Sequence, residues 1–269
     1  MDNFDNKDEK DDSEEFELGH ADKLVGVFAS PTETFEKISN YPPKALDWFI
    51  PVLVFAIVVI FAQYVKMSNP TINFEVMQKQ KAAQEKRIED ALKSGQITQE
   101  QAEQQREMVD SAMNNPIFKV IGGVIGIIAL FIIFFIMVCI YHFVVKLICG
   151  GAGTFAYSLV SYGLVYYILV IQAVFATLIS LLTSRLLNDV SLASFLGMAK
   201  DTPLGLVLSF VEPVSIWFNI VLGIALAKTF KAQNSRNYII TVFGIWIVLG
   251  LLFYALAKNV PFLSFLNGQ

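Results

Sequence analysis

Apolar side chains gather in five runs, 48–67, 117–148, 162–184, 204–227 and 238–257, and the chain between them is polar. A helix rising about 1.5 Å per residue needs about 20 apolar residues to cross a hydrocarbon core of about 30 Å, and each run is long enough. The pattern predicts an all-α fold, a polytopic helical membrane bundle with five transmembrane helices. In lipid a helix satisfies its own backbone groups, whereas a β-barrel would show short segments of alternating polarity. The N-terminus has no basic region followed by a short apolar stretch and a small-residue cleavage site, so the first span is expected to act as its own insertion signal.

The longest polar stretch, 68–116, separates the first two spans. Residues 74–93 read as one helix with Ser94-Gly95 as its stop. Thr98 with Gln101 forms a capping box that opens a second helix reaching Met113. This predicts an extramembrane helical hairpin. Met77, Ile88, Ala91 and Leu92 on one arm, with Ala102, Met108, Val109 and Ala112 on the other, form thin apolar stripes suited to each other or to a partner.

Ahead of the first span, residues 21–40 mix Leu24, Val25, Phe28, Phe35 and Ile38 with polar positions. Ser30-Pro31-Thr32-Glu33 reads as a helix start, with Ser30 as N-cap, Pro31 at the first helical position and Glu33 closing a capping box. The short amphipathic helix that follows stops before Tyr41-Pro42-Pro43. Its apolar residues Phe28, Phe35 and Ile38 suit a helix lying in the headgroup layer, or one packed against the bundle. Residues 1–20 form an acidic tail. The first seventeen carry nine Asp or Glu against two Lys and almost no apolar surface, a composition that cannot offset the entropy of ordering.

Composition agrees with a membrane protein: 55% hydrophobic residues, 23 Phe and a mean hydropathy of +0.54. The second run is bracketed by Lys119 and Lys146, about 40 Å apart along a helix, so both can snorkel to the headgroups. Within it Gly122 and Gly126 form a small-xxx-small pair that lets another helix approach closely. Cys139 and Cys149 lie ten residues apart on that same predicted helix and cannot pair with each other.

Polar chemistry at membrane depth centres on Glu212, mid-way along the fourth run and followed by Pro213, with Ser209, Ile216 and Asn219 at helical spacing. A carboxylate there must be protonated, paired or facing water. Two readings stand: a proton or ion site at a proline-loosened turn, or an interhelical hydrogen bond to Asn219, a tyrosine or His142 that fixes packing. Gln172 is a further candidate. The chain has no HExxH, GxSxG or Walker loop and two histidines in all, His20 and His142, so no catalytic set, metal site or cofactor is expected, nor a nucleic-acid partner.

The segments Phe28-Ala29-Ser30-Pro31-Thr32-Glu33-Thr34-Phe35, Gly151-Ala152-Gly153-Thr154-Phe155, and Ile216-Trp217 after an acidic residue occur in an order that resembles the bacterial branch of the Yip domain family. The eukaryotic relatives interact with Rab GTPases and are associated with vesicle trafficking and membrane shaping. The resemblance covers residues 20–258. It implies five spans in a bacterial cytoplasmic (inner) membrane, a cytoplasmic N-terminus and no catalytic residues. The density of Lys228, Lys231 and Arg236 in one short connection also favours a cytoplasmic N-terminus. The 68–116 insert departs from the eukaryotic pattern. The expected role is a membrane-organising or protein-interaction scaffold, the rival a small transporter or channel component using Glu212. Its expected partners are the lipid bilayer, a protein reached through the hairpin or acidic tail, and a second copy of the chain.

Overall fold

A computed structural model describes residues 17–114 and 116–259. The acidic tail lies outside them except for its last residues, and so do the side chains of Ala112 and Lys119. Among the described residues the chain is all helix and turn: α1 (His20–Ala29), α2 (Pro31–Ile38), α3 (Leu46–Met67), α4 (Pro70–Lys93), α5 (Gln99–Asn114), α6 (Pro116–Cys149), α7 (Phe155–Thr183), α8 (Leu192–Leu196), α9 (Pro203–Ser209), α10 (Pro213–Thr229) and α11 (Arg236–Asn259). Four of these, α3, α6, α7 and α11, are long and apolar enough to cross a membrane unbroken. The fourth run of the sequence is not one helix. It is the pair α9 and α10, bent by 58° at the break before Pro213.

The N-terminal stretch differs from its expectation. Two helices stand where one was expected, because Pro31 bars Ser30 from helical backbone and breaks the chain there. Ser30 makes no side-chain cap. Its carbonyl accepts from the Thr34 hydroxyl at 2.9 Å instead. The pair folds back tightly: a Cβ on Gly26 would sit 2.1 Å from Thr34 Oγ1. Phe35 and Ile38 are buried, and Phe28 packs on Trp217 of α10 at 5.6 Å between ring centres. The apolar face of α2 therefore turns into the bundle, not into a headgroup layer, because α10 offers it a complementary apolar wall.

The core lies at the end of the bundle that holds these two helices. Trp48, Phe134, Tyr162, Tyr166 and Phe218 interlock edge-to-face and stacked, with centroids within 6.4 Å. Close approach is bought by small residues: a Cβ on Gly163 would lie 2.5 Å from Trp48 Cα, and one on Gly223 2.6 Å from Ile239 Cα. The 150–154 turn and the turn after α10 meet at this end, where Ala152 N–H donates to Phe230 O at 3.1 Å and Tyr238 OH to Gly150 O at 2.9 Å.

The hairpin at the opposite end forms as its caps require. Asn69 accepts from the N–H groups of Thr71 and Ile72, which starts α4 four residues earlier than the periodicity suggested. Gly95, at φ +72°, closes α4 with bonds from Gln96 N–H to Ala91 O and Gly95 N–H to Leu92 O. Thr98 and Gln101 exchange the two reciprocal bonds of a capping box. Ile88 and Ala102 are buried between the arms, while Met108 is exposed.

Candidate functional site

Glu212 occupies the corner between α9 and α10 and is 5% exposed. Pro213 drives it to extended backbone, φ −134° and ψ 108°, so no continuous helix can pass through it. Its carboxylate accepts from three segments: Gln172 Nε2 on α7, the Val190 N–H at 3.0 Å, and Ser215 Oγ in the first turn of α10. Gln172 lies eleven residues before the end of α7, about 16 Å of helix axis, which is about half the hydrocarbon thickness.

Val190 reaches that depth because the chain turns back after α7. Ser184 takes a left-handed conformation, and the Ser180 hydroxyl then accepts from Leu187 N–H at 3.0 Å. Buried Lys66 donates to Leu187 O at 3.3 Å, Asn69 Nδ2 to Ser184 Oγ at 3.2 Å, and Leu192 N–H to Val211 O at 3.0 Å. Asp189 on this segment accepts from Ser191, Ser194 and Lys200. Burial pushes its carboxyl upward, but the hydrogen bonds and charge of Lys200 and the two serines outweigh this and hold it below the ordinary value of 3.8.

The three polar residues singled out in the sequence are not brought together. Asn219 lies two turns along α10 from Glu212, about 10 Å. Its Nδ2 donates to Ser215 O at 2.7 Å, and its Oδ1 is buried with no partner among the described residues. His142 belongs to the other end of the bundle, where Nδ1 shares a 2.8 Å hydrogen bond with Ser158 Oγ. The carboxylate is thus paired through Gln172, Val190 and Ser215 and not through Asn219 or His142. Gly122 and Gly126 also depart from expectation. Nothing lies within 4 Å of a Cβ built on either, so among the described residues no helix of this chain packs on them. With Gly123 they line an open groove between α3, α4 and α6.

A second polar cluster has no trace in the sequence pattern. Lys23 and Asp47, both buried, pair at 2.6 Å. With its proton on Nδ1, His20 donates to Asp47 at 3.3 Å and accepts from the Tyr167 hydroxyl at 2.8 Å. Among the described residues no group of three or more His, Cys, Asp or Glu is placed to hold a metal ion.

The family model of the Yip1 domain matches residues 25–256, from within α1 almost to the end of α11. The chain belongs to the Yip1 domain family. No curated protein and no solved structure matches it. The Yip1 domain here includes α2, the hairpin and the broken α9–α10 span, and with its apolar helices it is a multi-pass integral membrane protein. The Yip1 family is not known for enzymatic activity.

Proposed function

We infer that this protein is a non-catalytic scaffold, membrane-organising or protein-binding, seated in a bacterial cytoplasmic membrane with its N-terminus in the cytoplasm. The observation that carries this reading is the way Glu212 is used. Donors from α7, the returning segment and α10 converge on its carboxylate, so it holds a corner together, and a carrier that loaded and released ions there would have to open that corner at every cycle. The surface left for a partner is the hairpin. Its arms are clamped by Arg106 on Glu85, with Nε–Oε1 at 3.0 Å, and it exposes Phe74 and Met108, each 66% exposed. The acidic tail is the second candidate surface, and self-association can use either.

Photoreactive residues placed in 74–109 of the full-length protein in its native membrane test this. The expected result is a reproducible adduct of fixed mass, a partner or a second copy, that survives Glu212→Gln. No adduct from folded, abundant protein overturns the scaffold. The rival reading draws on the buried, unpartnered Asn219 Oδ1 near the break. It requires a pH-dependent flux in reconstituted vesicles that Glu212→Gln abolishes.

A further inference from the structure

The groove between α3, α4 and α6 has a volume of about 1000 Å³, at the upper end of the usual range for ligand pockets. Its deep part is apolar, lined by Ala56, Val59, Ile60, Ile127 and Leu130. The three glycines of α6 contribute no side chains and leave that wall smooth. From Gly122 to Leu130 it runs about 12 Å along the helix.

Toward the hairpin end the lining changes to Gln63, Tyr64, Ser68, Asn73 and Gln80. Among the described residues no charged side chain lines the groove. Ser68 and Asn73 are engaged with the carbonyls of Val65 and Met67. The amides of Gln63 and Gln80 and the Tyr64 hydroxyl make no hydrogen bond among the described residues. An amide held on a membrane-spanning helix without a partner is costly unless a headgroup or water meets it.

We propose that this groove is a binding site for one zwitterionic, amine-bearing phospholipid, its acyl chain along the glycine wall and its headgroup among the free amides and Tyr64. The groove is continuous with the lipid-facing surface of α6, where Val124, Ile125 and Ile128 are exposed, so the bilayer itself supplies the occupant. Its polarity changes once along its length, as a lipid's does. Amide N–H groups suit a phosphate, while amide oxygens and the exposed face of the Tyr64 ring suit an ammonium. Among the described residues the lining carries no charge that would meet an anionic headgroup. A helix of a second copy fits less well, since on leaving the bilayer it would meet the wall that α4 contributes through Asn73, Val76, Met77 and Gln80.

The full chain, reconstituted in bilayers of equal parts phosphatidylethanolamine and phosphatidylglycerol and released for native mass spectrometry, should retain one phosphatidylethanolamine per chain. A Cβ at Gly126 meets nothing within 4 Å, so the ring of Gly126→Phe can enter the groove, and it should cut retention about tenfold while leaving the melting temperature in lipid-free detergent unchanged. Gln63→Leu leaves the groove open and should abolish the preference between the two lipids. Equal retention of both lipids by the wild type, or undiminished retention by both variants, overturns the proposal. So does a dimer that Gly126→Phe converts to monomer with lipid retention untouched, which would give the groove to a second copy. The proposal is independent of the scaffold reading, whose test uses the hairpin and Glu212.

Discussion

Lys23 and Asp47 show how one pair can fix an element that hydropathy alone would leave on the surface. Their side chains are 5% and 6% exposed, and the pair ties α1 to the start of α3. Such a pair adds little over a well-packed apolar one, but breaking it strands a buried charge, at about 3–5 kcal/mol. Asp47→Ala should lower the melting temperature in mild detergent markedly, and Lys23→Met with Asp47→Leu should restore most of the loss. A double variant no better than Asp47→Ala would show that the site needs the charges themselves. At this scale the sequence was uneven. Glu212 stood out because a carboxylate inside an apolar run is conspicuous. Asp47 and Lys23 did not, being separated by 24 residues in stretches where charge is unremarkable. The partners of Glu212 were also hidden, since Val190 contributes only a backbone N–H and Gln172 lies 40 residues away.

Elements were legible where their ends are written locally. The hairpin has its Schellman stop at Gly95 and its box at Thr98 and Gln101, and both follow from side chains within five residues of each other. Asn69 belongs to the same class: Asn69→Ala should cost about 1 kcal/mol and fray the start of α4, seen as faster amide exchange at Thr71 and Ile72. The broken fourth span was not legible as such, because hydropathy stays high through 204–227 whether or not the helix bends, and Pro213 marks a break without giving its angle. The returning segment before it depends on Asp189. A carboxyl held below its ordinary value contributes stability that is complete above that value and is lost as pH falls through the lowered one. In thermal melts the part of the stability owed to Asp189 should therefore be constant above the ordinary carboxyl value of 3.8 and be lost as pH falls below it. Asp189→Asn should start lower and lose this part of the slope, and a slope unchanged in the variant would assign the acid loss to other carboxylates.

For the whole molecule, the decisive constraint is which turns share an end. The bend in α9–α10 permits two topologies by hydropathy alone, a true crossing or a loop that returns to its own side. Hydrogen bonds fix where the two ends of the pair lie in the bundle. Ser161 on α7 meets Thr229 on α10 at 2.9 Å, Ala152 N–H reaches Phe230 O, and Lys228 pairs with Glu36 of α2 at 2.8 Å. The end of α10 therefore lies with α1, α2 and the 150–154 turn, while Glu212 lies deep in the bundle and the chain before α9 lies toward the end of α7, beside Lys66 and Asn69. The broken pair thus runs from one end of the bundle to the other, the course a crossing requires. It follows that cysteines introduced at Glu33 and Lys231 report one side of the membrane and a cysteine at Lys86 the other. In a background with Cys139 and Cys149 replaced by serine, a membrane-impermeant thiol reagent should label the first two together and the third oppositely in intact cells, with the pattern reversed in inverted vesicles. Labelling of Lys231→Cys together with Lys86→Cys would mean that α10 does not cross and that the contacts joining it to α2 and α7 fail in the membrane. Glu212 would then sit at the tip of a re-entrant loop, and the corner it closes would face the same compartment as the hairpin.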